Sequence, residues 1–311
     1  MGRFTHGPRI GGVIDIPEEF AETQSMEGGA AGRAFLAALP SMAADLLARW
    51  ELRVNGPSLT GRCALVLPVA DADGTPAMLK LQPVDDETAG EPVALRAWGG
   101  DGAVRLLRYD GTTGALLLER LRTRDLGALE PRAALPVIAG LLARLAATPA
   151  PPELRRLGDI AARMLDDTPA LAATLPAGPG RRLLLDCAAA VREVAAEPGD
   201  RLLHWDLHFE NVLAADREPW LAIDPKPLAG DPGFELMPAL RNRFDPDDTL
   251  WRFDLMTETL GLDRARATAW TLGRVLQNLL WRLGEGDTEL DPVQVSIARA
   301  LLARGARRTA S

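Results

Sequence analysis

The chain has 311 residues, of which 47% are hydrophobic and 25% are charged, and its net charge is −8. This composition is typical of a globular protein with one or two domains. An acidic balance without any basic run argues against nucleic-acid binding and suits a cationic small ligand. No apolar run is expected to span a membrane, and MGRFTHGPRIGG lacks the apolar core of a secretory signal, so a cytoplasmic protein is predicted.

The first part of the chain is predicted to be mainly β. Residues 1–30 are expected to be irregular, with a short strand at GVIDIP, and Ser41 is expected to cap a helix over MAADLLARW. Strand-like segments then follow at WELRVNG, RCALVLPVA, PAMLKLQPV, AVRLLRYD and GALLLERL, with a helical stretch, EPVALRAWGG, after the third. Residues 50–120 therefore predict a small antiparallel sheet with one inserted helix.

After residue 125 the hydrophobic pattern becomes helical. Three segments have helical periodicity, RAALPVIAGLLARLAAT, LRRLGDIAARMLDD and RRLLLDCAAAVREVAAE. Further helices are predicted at about 233–242, 249–260, 264–284 and 291–305. The expected fold is therefore α+β, with a β-rich N-terminal lobe at 1–118 and a mainly helical C-terminal lobe at 119–311.

Scarce polar residues gather in LLHWDLHFENVLAADREPWLAIDPKP, residues 202–227. This stretch holds two of the three histidines, one of the four asparagines and one of only two lysines. NVL and WLAID are predicted strands of a hairpin, which would bring Asn211 close to Asp224. Two such oxygen ligands suit Mg²⁺, and Asp206 in the preceding loop could accept a proton from an attacking hydroxyl. The pattern matches the kinase catalytic loop H-x-D-L-x-x-x-N followed by a metal-binding aspartate.

The other lysine, Lys80, lies in the alternating strand AMLKLQP. Since all other basic residues are arginine, a retained lysine suggests a position that requires a compact ammonium. Lys80 is expected to reach the phosphates of a nucleotide, with Glu91 as its acidic partner and Glu87 as the alternative.

Two further segments could contact the nucleotide through backbone groups. Gly56 and Gly61 flank a turn in NGPSLTGRCALV, where amides could lie over phosphates. The backbone of Glu119–Leu121 is expected to meet the adenine edge.

Two rival interpretations remain open from the residues. His204, Asp206 and His208 spell H-x-D-x-H, which on a strand would suit a metal-dependent hydrolase. That alternative leaves Asn211 and Asp224 unexplained. The chain could also bind a nucleotide without catalysing a reaction, because a fold alone does not determine a function.

The motifs HWDLHFENVL…WLAIDPKPLAGDPGFEL, GGAAGRAFLAALP, AMLKLQP and WTLGRVLQNLLW resemble the aminoglycoside phosphotransferases, in particular the streptomycin 6-phosphotransferase and hydroxyurea-resistance kinase branch. The resemblance extends from about residue 13 to 284. It implies a two-lobed protein-kinase-like fold, ATP and Mg²⁺. It further implies γ-phosphoryl transfer to a cationic antibiotic, first to the 6-hydroxyl of streptomycin, with hydroxyurea or another small molecule as the alternative. A cytoplasmic monomer is expected.

The resemblance also assigns roles to residues. It makes Asp206 the catalytic aspartate and makes Asn211 and Asp224 the metal ligands. Lys80 would contact phosphates while paired with Glu91. His204 and Asp231 would brace the catalytic loop, whereas Lys226 receives no role.

The acceptor side has a less distinct signature. Trp205 stands where many antibiotic kinases have glycine, and its ring could shape the acceptor pocket. On the helix at 264–284, Trp270, Arg274, Gln277 and Trp281 are spaced to share one face. That face is either a pocket wall or a core face with Arg274 in a structural salt bridge.

Overall fold

The computed structural model describes residues 14–309, with side chains to residue 305. It divides into two compact units. The first contains the described residues up to Gly100 together with Val104–Leu121, and the second contains Asp101–Ala103 together with the chain from Arg122 onward. The predicted strand GVIDIP begins outside the described residues, and residues 14–17 are not in a strand.

The first unit opens with two helices, α1 (Glu18–Glu27) and α2 (Gly29–Arg49), of which the sequence analysis missed α1 and the first half of α2. The helix predicted over MAADLLARW is the second half of α2, but its predicted start after Pro40 was wrong, since α2 continues through this proline and Ser41 donates to the Ala38 carbonyl oxygen instead of capping. Proline normally breaks a helix interior. Here Leu39, Ala43 and Leu46 on one face of α2 are fully buried, and their burial offsets the lost backbone bond.

By length and composition alone, α2 is apolar enough to cross a membrane, which the sequence analysis did not expect. Its buried face instead belongs to the same core as the sheet leucines Leu65, Leu79 and Leu117. Because the core helix of a globular protein passes the same test, this helix gives only weak evidence about membranes.

The sheet of the first unit contains six strands. They are β1 (Arg53–Val54), β2 (Leu59–Thr60), β3 (Leu65–Ala70), β4 (Pro76–Leu81), β5 (Leu106–Tyr109) and β6 (Leu116–Glu119). The order is β1-β3-β4-β6-β5, β2 also pairs with β3, and all pairs are antiparallel. Helix α3 (Glu91–Trp98) lies between β4 and β5 in the chain. The predicted antiparallel sheet with one inserted helix is confirmed.

The second unit is mainly helical, as predicted. Its helices are α4 (Pro131–Leu145), α5 (Leu157–Thr174), α6 (Pro179–Val194), α7 (Met237–Arg241), α8 (Thr249–Thr259), α9 (Arg264–Gly284) and α10 (Pro292–Thr309). The helix predicted at 233–242 is split into a 3-10 turn, Pro232–Glu235, and α7. Two short antiparallel pairs join β7 (Arg201–Leu203) to β10 (Leu228–Gly230) and β8 (Val212–Ala214) to β9 (Trp220–Ala222).

The boundary between the two lobes, predicted to follow residue 118, falls inside β6, the last strand of the first unit. Glu119 is still paired with Ala77 in the sheet. The first unit ends at Leu121, and the Arg122 N–H donates to the Ala214 carbonyl oxygen at 2.9 Å within the second unit.

Candidate active site

The β8–β9 hairpin forms as the residue pattern indicates. Val212 is paired with Ala222, and the Ile223 N–H donates to the Asn211 carbonyl oxygen at 2.9 Å. Asn211 and Asp224 therefore flank the open end of one hairpin. Asp224 has a φ of 57°, a left-handed conformation that is strained for a non-glycine residue. Such strain is concentrated at functional sites.

The loop before the hairpin orients Asn211. Its Nδ2 donates to the Asp206 carbonyl oxygen at 2.9 Å, which leaves Oδ1 as the atom suited to a metal. Carboxylate and amide oxygens are the ligand types that Mg²⁺ prefers. Asn211 and Asp224 together thus fit a magnesium ion that completes its shell with phosphate oxygens and water.

His204 fixes this loop to the chain that follows β9. Its fully buried ring donates from Nε2 to the Ile223 carbonyl oxygen at 2.9 Å and accepts from the Asp206 N–H at Nδ1, at 3.4 Å. The Lys226 N–H donates to the His204 carbonyl oxygen at 3.0 Å. Burial disfavours the imidazolium and lowers the pKa of His204 to about 4, so the ring is neutral at pH 7.

A buried glutamate that the sequence analysis missed holds the other side of the loop. Glu235 Oε1 accepts the His204 N–H at 3.0 Å, and Oε2 has no hydrogen-bond partner among the described residues. Burial raises the pKa of Glu235 to about 8. The only signal in the sequence is a carboxylate between Phe234 and Leu236. Asp231, the brace that the resemblance implies, accepts the Gly233 N–H at 2.8 Å and pairs with Arg266.

Glu235→Gln should flatten the pH dependence of stability on the alkaline side. Folded Glu235 keeps its proton up to about pH 8, whereas in the unfolded chain it ionises near 4.5. Stability from this group therefore falls as pH rises through that window. The lowered pKa of His204 changes the free energy of unfolding only between pH 4 and 6.5. From pH 6.5 to 8, the change that these two residues cause therefore comes from Glu235 alone. Between pH 6.5 and 8, the ionisation of Glu235 should lower the free energy of unfolding by about 2 kcal/mol.

Urea unfolding at pH 6.5 and 8 measures this effect. The wild-type chain should lose stability between the two values, and Glu235→Gln should lose about 2 kcal/mol less. Glu193→Gln, at an exposed position, should behave like wild type. If the free energy of unfolding falls equally for Glu235→Gln and wild type between pH 6.5 and 8, folded Glu235 does not hold a proton as assigned.

Two guanidinium groups lie over the ring of Trp205, the residue next to Asp206. The Arg274 Cζ is 4.3 Å from the ring centroid and the Arg155 Cζ is 4.8 Å from it. Trp205 is buried and has a φ of 67°, a conformation that glycine adopts without strain. The Trp281 ring packs edge-on against Trp205 at 6.0 Å. Arg274 Nη1 also donates to Gln277 Oε1 at 2.9 Å.

At Trp270 the structure favours the core-face alternative of the sequence analysis. This ring is fully buried and packs edge-on against Phe234 at 6.1 Å, because α9 is buried around most of its middle turns. Trp270 therefore belongs to the core, whereas Trp281 is 46% exposed. A cavity of about 130 Å³ beside Trp281 is lined by Arg155, Ile160, Arg163, Met164, Asp167, Gln277, Leu280 and Trp281.

In the first unit, Lys80 and Glu91 form a buried ion pair. Lys80 Nζ lies 2.8 Å from both Glu91 carboxylate oxygens, and Gln82 Nε2 donates to Glu91 Oε2 at 2.6 Å. Glu91, not the alternative Glu87, thus holds this bidentate position. It begins α3, where a carboxylate is favoured by the helix dipole.

The remaining predicted nucleotide contacts lie at strand ends of the same unit. The Gly61 N–H donates to the Ala64 carbonyl oxygen at 2.9 Å and closes the β2–β3 turn. Gly56 lies in the link from β1 to β2. Glu119 ends β6, with Oε1 accepting the Arg105 N–H at 2.9 Å, and Leu121 ends the unit.

The metal-hydrolase interpretation is wrong. Both ring nitrogens of His204 are engaged with backbone groups, and His208 Nδ1 lies 2.8 Å from Glu210. Within residues 14–309, no group of three or more His, Cys, Asp or Glu side chains is arranged to hold a metal ion.

The family model for the aminoglycoside/hydroxyurea antibiotic resistance kinases matches residues 49–286. A hydroxyurea phosphotransferase from Kitasatospora aureofaciens is 60% identical over 300 residues, which cover 95% of this chain and 88% of that protein. A streptomycin 6-kinase from Streptomyces glaucescens is 53% identical over 299 residues, with 93% and 97% covered.

Solved structures support the same fold. A thermostable mutant of an aminoglycoside phosphotransferase, in a ternary complex with ADP and hygromycin B, aligns with a TM-score of 0.61 at 15% identity. The alignment covers 86% of this chain and 99% of that one. The predicted α+β, protein-kinase-like fold is confirmed. With a family model matched over most of its length and relatives at 53–60% identity, this chain belongs to the aminoglycoside/hydroxyurea antibiotic resistance kinases.

Proposed function

We propose that the protein is an ATP- and Mg²⁺-dependent kinase that transfers the γ-phosphoryl group to the 6-hydroxyl of streptomycin and thereby confers resistance. The observation that carries this proposal is the joining of Asp206, Asn211 and Asp224 by one loop and one hairpin. The similarity to a streptomycin 6-kinase supports the choice of acceptor. We further propose that it acts as a cytoplasmic monomer.

Asp206 is the proposed general base. It accepts the proton of the acceptor hydroxyl as the oxygen attacks the γ-phosphorus, and His204 and Asn211 hold its backbone in place. Bound Mg²⁺ would neutralise charge on the phosphate oxygens, with Asn211 and Asp224 as its protein ligands.

The nucleotide contacts are assigned to the first unit. Lys80, oriented by Glu91, is proposed to bind phosphate oxygens, because an ammonium held by a buried carboxylate is fixed in direction. The amides around Gly56 and Gly61 would cover the phosphates. The backbone of Glu119–Leu121 would hydrogen-bond the adenine edge.

The acceptor contacts are assigned to Trp205, Arg274, Gln277 and Trp281. Trp281 presents an exposed indole, to whose face a guanidinium group of streptomycin could bind. Asp167 lines the adjacent cavity together with Arg155 and Arg163, and its carboxylate is the group of that lining to which such a cation could bind. The net charge of −8 also favours the approach of a cationic antibiotic.

Hydroxyurea is the second candidate acceptor, because the hydroxyurea phosphotransferase relative has the higher identity, 60% against 53%.

Purified protein with Mg-ATP should be offered streptomycin and hydroxyurea separately, with mass spectrometry to detect one added phosphoryl group. We expect streptomycin to be modified at its 6-hydroxyl, as located by NMR. Modification of hydroxyurea alone would select the second candidate. ATP binding without any transfer would identify a non-catalytic nucleotide-binding protein.

A further inference from the structure

Lys226 lies beside the proposed catalytic base. Its Nζ is 3.3 Å from Asp206 Oδ2, and the two side chains are 34% and 25% exposed. It is one of only two lysines in a chain whose other basic residues are all arginine. The other lysine, Lys80, is the proposed phosphate ligand of the first unit.

The backbone around Lys226 is fixed on both sides. The residue lies between the buried prolines Pro225 and Pro227, each of which restricts its own φ. Its N–H donates to the His204 carbonyl oxygen at 3.0 Å, and β10 begins two residues later at Leu228. The ammonium is therefore presented to Asp206 from a rigid segment.

Stability alone does not account for this placement. Ion pairs between partly exposed side chains contribute little to folding. An arginine fork could also pair with a carboxylate, often through two hydrogen bonds, whereas a compact ammonium acts as a point charge that several oxygen atoms can share.

We propose that Lys226 is a catalytic residue that contacts the transferred phosphoryl group. This inference rests on the proposed function. It goes beyond that function by assigning a contact with the transferred phosphoryl group to a lysine of the second unit. An acceptor hydroxyl that gives its proton to Asp206 lies within a hydrogen bond of that carboxylate, and the γ-phosphorus lies about 3–3.5 Å from the attacking oxygen. An ammonium in contact with Asp206 is thus within reach of the γ-phosphate oxygens.

The proposed role of Lys226 follows from the charge that develops during phosphoryl transfer. A bond forms between the acceptor oxygen and the γ-phosphorus, while the bond from this phosphorus to the β–γ bridging oxygen breaks. The hydroxyl proton passes to Asp206, and ADP leaves with the electron pair. Negative charge is spread over the equatorial oxygens in the transition state, and the ammonium neutralises part of it.

The test compares Lys226→Met and Lys226→Arg in the full-length protein. Lys226→Met should lower kcat for acceptor phosphorylation about 10²–10³-fold, the cost of removing one preorganised charge-stabilising donor. By calorimetry it should weaken ATP binding about tenfold while ADP binding changes less than about twofold, since only ATP carries the γ-phosphate. Lys226→Arg keeps the charge and should recover at least about tenfold in kcat over Lys226→Met.

Arg304→Met is the matched control. Arg304 forms an ion pair with Asp254 at 2.6 Å, with side chains 27% and 34% exposed, and lies outside the proposed site. It should keep the wild-type kcat and the wild-type ratio of ATP to ADP affinity.

Two results would overturn the assignment. One is a kcat for Lys226→Met within about threefold of wild type, and the other is an equal loss of ATP and ADP affinity. If the wild type phosphorylates no acceptor, the proposed function fails, but the ratio of ATP to ADP affinity in Lys226→Met still decides whether the ammonium meets the γ-phosphate.

Discussion

Asp206→Ala should lower kcat by about 10²–10⁴-fold, the usual contribution of a positioned general base. The backbone contacts of the loop, from the Asp206 N–H to His204 and from Asn211 to the Asp206 carbonyl oxygen, do not involve the deleted carboxylate. Nucleotide binding should therefore persist while transfer is nearly lost. Steady-state kinetics with the acceptor, together with calorimetric titration of ATP, measure both properties.

Asp216→Ala provides the matched control for this experiment. Asp216 lies in the turn of the same hairpin, is 81% exposed at its side chain, and pairs with Arg122 at 2.6 Å. Its removal should leave kcat unchanged. Full activity in Asp206→Ala would exclude Asp206 as the base, and a loss of activity in Asp216→Ala as well would show that the hairpin is merely sensitive to mutation.

Glu91→Ala should destabilise the protein by about 3–5 kcal/mol, because it leaves the ammonium of a buried ion pair without its main partner. Lys80 is 5% exposed and Glu91 is 1% exposed. Gln82 Nε2 also loses the carboxylate that accepts its hydrogen bond. The free energy of unfolding in urea should show the loss, and the affinity for ATP should fall because Lys80 is no longer oriented.

The double variant Lys80→Met/Glu91→Leu separates stability from function. Replacing both charges with apolar residues of similar size removes the desolvation cost together with the attraction, so most of the lost stability should return although the Gln82 amide still lacks its acceptor. Productive ATP binding should remain lost, since no ammonium is present for the phosphates. Recovery of ATP affinity in this double variant would contradict the assignment of Lys80 to the nucleotide.

Local sequence patterns predicted much of the fold because they act through short-range physics. Short apolar, strand-like segments predicted β3 and β4, and helical periodicity predicted α8 and α9 with nearly their observed ends. Helix α1 and the first half of α2 were missed because glycines and Pro40 suggest a loop there. At Gly32 a side chain would collide with the Gln24 carbonyl oxygen, so glycine serves the close approach of the two helices.

The sequence predicted those residues of the candidate site that belong to one local element of structure. The hairpin alone relates Asn211 to Asp224, and the catalytic-loop motif alone identifies Asp206. In contrast, Glu235 supports His204 across 31 residues of sequence, and neither residue type nor spacing indicates that contact. Trp270 and Trp281 share a face by helical spacing, but only packing distinguishes the buried ring from the exposed one.

The sequence by itself thus determined most of the secondary structure of both units and the hairpin that holds the proposed metal ligands, and it predicted Asp206 as the base. The tertiary structure decided which acid holds Lys80, which buried carboxylate braces the catalytic loop, and that Lys226 lies beside Asp206. The physical reason is that hydrophobic periodicity and turn chemistry act over a few residues. Burial, pKa shifts and ion pairs instead depend on groups that only folding brings within a few ångströms.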